Sequence, residues 1–261
     1  MASTELLTAR RGILRDPVTM IRVGIVMALL VCWQTLALSG LLYSDVVPPL
    51  QAVARALFAL WSDAEFYRHV GRTAYEVAIA MPIGVSAGLL AGIVLGGSRF
   101  AQDAFERYLY FLGPTPKVIF FPLMIMWFGV GPGSKVAIGA LSCFFPVGLS
   151  TAAGMRSIAP ILIRVGRSFR ATEWQMIVKI YLPAMREPVV NGIRLGFGIT
   201  LIGILLAESK ISNAGIGFLV MQAFQRFDMP LMYSLIITVF VISILLNSLM
   251  NHLLRTGDTP A

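Results

Sequence analysis

The sequence has little charge, little cysteine and little histidine, and each shortage excludes a class of protein. Charged residues make up 13% of the 261 residues and hydrophobic residues 57%, whereas an ordinary soluble domain is about 25% charged. Both cysteines, Cys32 and Cys143, lie inside apolar runs, which argues against a disulfide framework or a metal-binding pair. The two histidines, His69 and His252, lie far apart in the chain and give no basis for a metal site.

Motifs for catalysis and nucleotide binding are also missing. The chain has no Ser/His/Asp order, no HExxH and no evident pair of intramembrane carboxylates, so a membrane-embedded enzyme is disfavoured. Residues 129–135 resemble a phosphate loop but lack Gly-Lys-Ser/Thr, and we interpret them as a turn. The pI near 9.9 comes from basic residues in the connections between apolar runs, which is a membrane-topology pattern and predicts no nucleic-acid partner.

Long apolar runs are what the sequence has instead. A membrane-spanning helix needs about 20 apolar residues, and six runs have this length: residues 20–42, 70–97, 107–130, 134–157, 189–209 and 231–253. The first run is too long for a signal peptide and lacks a small-residue cleavage site. The amphipathic stretch 48–69 is too charged to span and is expected to lie in the membrane interface. The predicted fold class is all-α, a polytopic membrane protein with about six transmembrane helices.

The basic residues predict how the chain is oriented in the membrane. With the N-terminus inside, about twice as many Lys and Arg residues fall in cytoplasmic segments as in external ones, and cytoplasmic loops are enriched in these residues. Both termini are therefore predicted to be cytoplasmic. The predicted organisation is a cytoplasmic segment over residues 1–19, one transmembrane domain over 20–255 and a cytoplasmic tail over 256–261.

Glycine and proline are placed where they shape helix packing. A four-residue glycine ridge runs along the second span and is expected to pack against another helix, since small residues let backbones approach closely; it consists of Gly84, Gly88, Gly92 and Gly96. Five prolines are expected to break or kink three spans, which membrane proteins tolerate where protein or a water-filled cavity surrounds the backbone. They are Pro82, Pro114, Pro116, Pro122 and Pro146.

The longest cytoplasmic connection, residues 156–188, is predicted to be structured. Thr172 followed by Gln175 has the pattern of a capping box, and it begins a predicted helix over residues 173–181 that stops at Leu182 and Pro183. Its apolar stripe consists of Trp174, Ile177, Val178 and Tyr181. A short amphipathic helix in this position either docks on a soluble motor protein or rests on the lipid surface.

Within this connection the sequence resembles a known family. Residues 164–183 resemble the EAA loop of importer permeases, matched at Ile180, Leu182 and Pro183. The chain after residue 20 is similar to ABC permeases of the nitrate/sulfonate/taurine type; the matching pieces are Val47-Pro48-Pro49, Pro122-Leu123, Trp127-Phe128-Gly129, Phe145-Pro146 and Ala207-Glu208. Two positions depart from the pattern: Arg164 replaces a usual acidic residue and Arg170 a usual glycine. Because that glycine position often needs a positive φ, Arg170 either bears strain, or the turn differs, or the side chain contacts the motor.

The resemblance implies a type I ABC importer permease fold with a cytoplasmic coupling helix in a loop over residues 158–187. It implies two copies of this chain in the bacterial inner membrane, two cytoplasmic ATPase subunits that bind the ATP and Mg, and an extracytoplasmic solute-binding protein. The solute would be small and anionic, of the sulfonate/taurine, nitrate, bicarbonate or organic-acid class, and the chain itself would hold no cofactor. The residues expected to couple to the ATPase are Arg170, Thr172, Glu173, Trp174, Gln175, Ile177, Leu182 and Pro183.

Five residues are candidates for the translocation pathway, because polar groups at membrane depth are functional hypotheses by default. They are Lys117, Met124, Trp127, Thr200 and Glu208. Lys117 attracts an anion, or else it snorkels or caps carbonyls freed by the nearby prolines. Met124 and Trp127 line a gate or pack in the core, Thr200 contacts solute or joins two helices, and Glu208 acts in docking or gating or forms a solvated ion pair with Lys210. An ATP-independent channel or secondary transporter remains the rival function, although it leaves the capped loop without a purpose.

Overall fold

The computed structural model describes residues 17–40 and 46–255, with side chains through residue 249. Most of the predicted N-terminal segment 1–19, the end of the predicted first span and the tail 256–261 therefore lie outside the described residues. Every described regular element is a helix, so the all-α fold class is confirmed. The described residues form two compact units, one containing 46–62 and 223–234 together with the N-terminal helix, the other containing 63–222 and the rest of the C-terminal helix. The single domain over 20–255 stays a prediction.

Eleven helices follow one another along the described chain. They are α1 Pro17–Leu38, α2 Leu50–Ser62, α3 Ala64–Gly97, α4 Arg99–Leu112, α5 Lys117–Phe128, α6 Pro132–Ser157, α7 Pro160–Ser168, α8 over residues 173–184, α9 Arg186–Lys210, α10 Ile216–Gln225 and α11 Met229–Arg255. Five of these, α1, α3, α6, α9 and α11, are long and apolar enough to cross a membrane. The sequence did not predict α10, which is too short to span.

The third predicted span, residues 107–130, is not one helix. The chain here forms α4 and α5, which begin eight residues earlier than predicted and meet at a bend of 93°. Pro114 and Pro116 lie in the break between them. A proline removes a backbone donor and its ring clashes with the preceding turn, so two prolines with one residue between them end α4.

The other three prolines do not interrupt their helices, so the expected break is found at Pro114 and Pro116 and a kink at the others stays a prediction. Pro82 and Pro146 lie inside the continuous helices α3 and α6. Packing against neighbouring helices makes such prolines tolerable in membrane helices. Pro122 stands in the first turn of the helical segment Phe121–Phe128, where its missing N–H has no helical partner to lose.

The glycine ridge of α3 packs against α6, as predicted. A Cβ built on Gly88 would lie 2.9 Å from the carbonyl oxygen of Phe144 and 2.9 Å from Cβ of Val147. Each of the four glycines contacts one residue of α6, and these partners are also spaced four residues apart. In order, they are Cys143, Val147, Thr151 and Met155. Since both series ascend together, α3 and α6 run parallel with their backbones in close contact.

The parallel arrangement of α3 and α6 determines the path of the bent pair α4 and α5. Gly96 at the end of α3 lies beside Met155 near the end of α6, yet α6 begins at Pro132. The chain between α3 and α6 must therefore return along the length of α6, about 39 Å for 26 residues of helix. The pair α4 and α5 makes this return, so it is a sixth, broken crossing, and the predicted number of spans is confirmed.

The helix α9 runs antiparallel to α6 and completes the described bundle of the larger unit. Gly192 packs on Ser150 and Gly203 on Ser142, so residue numbers increase along α9 in the direction in which they decrease along α6. In the smaller unit, the indole nitrogen of Trp33 donates to the carbonyl of Pro48 at 3.1 Å, and the side chain of Gln34 accepts from the backbone of Leu50 at 3.0 Å. These bonds attach α1 to the start of α2.

Candidate functional site

The connection between α6 and α9, residues 158–185, is called here the coupling connection. Its two helices, α7 and α8, pack closely because Gly166 has no side chain; Met176 and Ile180 lie where its Cβ would be. An apolar cluster fixes the connection to the bundle; it contains Met155, Ile158, Ile163, Tyr181, Leu182, Met185 and Val189. The coupling connection is thus attached on one side to the helices that cross the membrane.

The beginning of α8 confirms the predicted capping box. The backbone of Gln175 donates to the hydroxyl of Thr172 at 3.3 Å, and the backbone of Thr172 donates to the side chain of Gln175 at 3.0 Å. The predicted end at Leu182 and Pro183 is wrong, since helical structure continues through Ala184. Ile177–Tyr181 forms a wider π turn, and Pro183 follows it in the short helical segment Leu182–Ala184.

Arg170 bears backbone strain at the end of α7. The backbone of Ala171 donates to the carbonyl of Gly166 at 3.1 Å and that of Arg170 to Arg167 at 2.9 Å, which is the Schellman pattern of hydrogen bonds. The C′ position of this motif is left-handed, and Arg170 has φ 52°. A residue other than glycine costs about 1–2 kcal/mol in this conformation. Of the three options left open by the sequence, the turn is therefore the usual one and Arg170 is strained in it.

The coupling connection also exposes large side chains. Phe169 is 83% exposed and Trp174 is 72% exposed. Of the eight predicted coupling residues, Ile177 and Leu182 are half-buried and six are exposed: Arg170, Thr172, Glu173, Trp174, Gln175 and Pro183. Exposed aromatic side chains grouped on one surface are typical of a site for another molecule.

Lys117 lies at the break between α4 and α5. Its ammonium group donates to the carbonyl of Gly113 and stands 4.8 Å from the centre of the Phe145 ring, within the range of a cation–π contact. A cation is favourable at this position, since the carbonyls at the end of α4 carry partial negative charge. The geometry is that of a lysine capping a helix end; a role for its charge in the pathway stays a prediction.

The other pathway candidates do not gather around Lys117. Met124 and Trp127 line an apolar groove of about 600 Å³ between α3, α5 and α6. Thr200 is fully buried and donates to the carbonyl of Gly139 at 3.1 Å, so it joins α9 to α6. The structure brings two of the five candidates together, and the assignment of the pathway remains a prediction.

Glu208 belongs to a buried polar cluster, defined here as Thr73, Glu76, Lys135 and Glu208. Glu208 is 1% exposed while Lys210 is exposed, so it does not form the solvated pair considered from the sequence. One carboxylate oxygen accepts from the hydroxyl of Thr73 at 2.7 Å and the other from the backbone of Gly217 at 2.8 Å. The cluster lies at the end of α6 opposite the coupling connection.

The polar cluster holds the beginning of α10. Three successive backbone N–H groups have no partner inside this helix and donate instead to side chains of α3 and α9. Gly215 donates to His69 at 3.0 Å, Ile216 to Thr73 at 2.9 Å and Gly217 to Glu208 at 2.8 Å. Gly215 is required, because its φ is 111° and a Cβ would overlap the carboxylate of Glu208. A carboxylate at a helix N-terminus is also electrostatically favourable.

Glu76 and Lys135 supply the remaining charges of the polar cluster, and each is 1% exposed. The side chain of Glu76 accepts from Arg72 at 3.3 Å, and its carboxylate interacts electrostatically with Lys135. Lys135 donates to the carbonyls of Val130 and Gly131 and interacts electrostatically with both carboxylates. Two carboxylates, Glu76 and Glu208, thus belong to the polar cluster, and the expectation that the chain pairs no intramembrane carboxylates stays a prediction.

Sequence reasoning missed Thr73, Glu76 and Lys135 as members of a site. A signal existed for Glu76, which is a carboxylate inside the apolar run 70–97, and an ionisable residue in such a run is a functional hypothesis by default. Lys135 lies at the end of the predicted turn 129–135, and the sequence does not show that a lysine in this position is buried.

Comparison with known proteins gives the family. Residues 84–256, more than half of the chain, match the family described as "Binding-protein-dependent transport system inner membrane component". The taurine transport system permease protein TauC of Escherichia coli is 29% identical over 206 residues, 77% of this chain and 75% of the relative. A putative aliphatic sulfonates transport permease protein of Bacillus subtilis, SsuC, is 32% identical over 193 residues, 74% of this chain and 70% of the relative.

A solved structure gives the fold. A chain from inward-facing structures of the MetNI methionine ABC transporter superposes with a TM-score of 0.61 at 18% identity, covering 74% of this chain and 96% of that one. The membrane crossings, the coupling connection and the named relatives all support an ABC permease. They disfavour an ATP-independent channel or a secondary transporter. The chain belongs to the family of inner-membrane components of binding-protein-dependent transport systems and is a permease subunit of an ABC importer.

Proposed function

We propose that this permease subunit imports a small sulfonate-bearing anion and that two copies of the chain form the pathway. The relatives named for taurine and aliphatic sulfonates support this solute class. Nitrate, bicarbonate and organic acids are the competing solutes in the same charge class.

The observation that carries the proposal is the construction of the coupling connection. Tyr181 and Leu182 attach it to the bundle, while Trp174 and Phe169 are exposed. A rigid segment of this kind transmits movement between a soluble subunit and the membrane helices. Each copy would insert this surface into one of two cytoplasmic ATPase subunits, which bind the ATP and Mg and perform all the hydrolysis.

The orientation that serves this function has both termini in the cytoplasm. The coupling connection then faces the ATPase, and the end of the bundle with the polar cluster faces the extracytoplasmic binding protein. The excess of Lys and Arg in the segments assigned to the cytoplasm supports this orientation. Reaction of single-cysteine variants with an impermeant thiol reagent in whole cells tests it; labelling of a cysteine at Lys210 but not at Lys179 is the expected result.

Transport by proteoliposomes tests the function. We expect the chain, reconstituted with its ATPase and binding protein, to take up labelled taurine or an alkanesulfonate only when ATP is supplied. Trp174→Ala is expected to abolish uptake and the coupled stimulation of ATP hydrolysis, while the amount of protein in the membrane stays unchanged. Phe100→Ala, which removes another side chain that is 80% exposed, serves as the matched control.

Three results would contradict parts of the proposal. Uptake that continues without ATP would indicate a channel or a secondary carrier. Normal ATPase stimulation in Trp174→Ala would show that α8 does not dock on the motor and would favour a helix lying on lipid. Uptake of nitrate in preference to sulfonates would reject the solute class but not the transport mechanism.

A further inference from the structure

The outward surface of the coupling connection is basic as well as aromatic. Arg164, Arg167 and Arg170 are all exposed. The ion pairs between described residues are Arg72 with Glu76 and Arg156 with Glu106, so none of these three guanidinium groups has an ionic partner in the described part of the chain. An exposed guanidinium is well suited to bind a carboxylate of another molecule through two parallel hydrogen bonds.

Arg170 differs from the other two because its backbone is strained. Arg164 and Arg167 lie on α7 in ordinary helical conformation, whereas Arg170 has φ 52°. The two hydrogen bonds of the Schellman motif fix this turn, so Arg170 does not escape the strain by adopting another backbone conformation. Glycine fits the position without strain. Strain of this kind persists where a function requires the residue.

We propose that Arg170 binds a carboxylate in the docking groove of the ATPase subunit that works with this permease, so that this pair selects the matching ATPase. Phe169 and Trp174, exposed near this turn and at the start of α8, supply apolar contacts around the ion pair. The inference rests on the proposed function, because it names the chemistry of the partner at the same docking surface. It predicts an acidic residue and an apolar floor in the groove of that ATPase.

A protein partner explains the strained turn better than a membrane surface does. Anionic lipid headgroups attract basic residues without requiring a fixed direction, and Arg164 and Arg167 would satisfy them from an unstrained helix. A guanidinium on one defined turn is suited to meet one carboxylate in one geometry, since its planar fork loses less freedom on binding than a flexible ammonium.

The test measures binding of the purified ATPase subunit to the full-length permease in nanodiscs. Arg170→Gly removes the charge and relieves the backbone strain, so weaker binding reports the guanidinium and not a damaged turn. We expect its Kd to rise about tenfold or more, as for the loss of one hydrogen-bonded charge. Arg170→Glu should bind more weakly still and Arg170→Lys should recover part of the affinity. Arg99→Glu, an exposed arginine in another connection on the same side, is the matched control.

A second experiment identifies the partner carboxylate. Replacing single Asp or Glu residues of the ATPase groove with Arg should restore binding to Arg170→Glu at one position only. The inference is overturned if Arg170→Gly binds the ATPase as tightly as the wild type, or if Arg170→Glu loses affinity only for phosphatidylglycerol vesicles. If the wild-type chain binds no ATPase, the proposed function itself is rejected. If the wild-type chain binds but Arg170→Gly binds equally well, only the role of Arg170 is rejected.

Discussion

The coupling connection and the polar cluster lie at opposite ends of α6 and are built in opposite ways. The coupling connection depends on contacts between residues close in sequence, such as the capping box of Thr172 and Gln175. The polar cluster depends on contacts between distant residues, since Thr73 and Glu208 are separated by 135 positions. One region exposes its aromatic side chains and the other buries its charges.

The difference separates two kinds of functional residue. A surface that another protein must reach can be altered without unfolding the chain, so its variants should lose coupling while their stability is kept. A buried charge network is part of the fold, and removing one member leaves the others without compensation. Variants of the polar cluster should therefore lose stability first. The predictions below test this contrast, beginning with the largest effect.

Glu208→Ala is expected to have the largest effect on stability. It removes the acceptor for Thr73 and for the first turn of α10 and takes one of two carboxylates from the buried ammonium of Lys135. Breaking a buried charge network in this way costs about 3–5 kcal/mol. Thermal unfolding of the purified protein in detergent measures the loss. Lys210→Ala, in the last turn of the same helix but exposed, should unfold like the wild type.

Glu208→Gln separates hydrogen bonding from charge at the same site. The amide oxygen still accepts one hydrogen bond, so a loss smaller than that of Glu208→Ala is expected. A wild-type unfolding temperature for Glu208→Ala would contradict the contrast between the two regions, because the polar cluster would then contribute no more to stability than an exposed loop.

Gly88→Leu tests the region between the two ends. The new side chain would meet the carbonyl of Phe144 and the side chain of Val147, and overpacking of this kind costs about 1–3 kcal/mol. Gly71→Leu is the matched control, since Gly71 lies on the same helix with nothing within 4 Å of its Cβ position. Thermal unfolding of both variants should show a loss for Gly88→Leu only. Equal unfolding temperatures would mean that the ridge does not hold α3 against α6.

The glycine ridge also shows how far the sequence predicts the structure. A spacing of four residues reveals one face of a helix, so the ridge, the capping box and the spans were predictable from local patterns. The partner of the ridge was not, because the periodicity of α3 contains no information about α6. The polar cluster was missed for the same reason: four residues from three helices meet only after the bundle forms. The bend between α4 and α5 was half-predicted, since the prolines gave its position but not its angle.

Lys117→Met tests a charge that lies between the two ends of the bundle. The variant loses the hydrogen bond to Gly113 and the contact with Phe145, so a loss of about 1–2 kcal/mol in stability is expected. If the charge also serves the pathway, uptake of an anionic sulfonate should fall by more than the abundance of the protein. Lys117→Arg keeps the charge and should transport better than Lys117→Met. Wild-type uptake by the Met variant would reduce Lys117 to its structural role.

Thr172→Ala should have the smallest effect on stability and so sharpens the contrast with Glu208→Ala. It removes the hydroxyl that accepts from the backbone of Gln175, and loss of such a cap costs about 1 kcal/mol. Because Thr172 is exposed, water replaces part of the lost bond and the bundle should unfold at the wild-type temperature. Hydrogen exchange should accelerate in residues 173–176 and leave α9 unchanged, with a partial loss of ATPase stimulation. Thr172→Ser keeps the cap and should behave like the wild type. Global destabilisation by Thr172→Ala would show that the coupling connection is as much a part of the fold as the polar cluster.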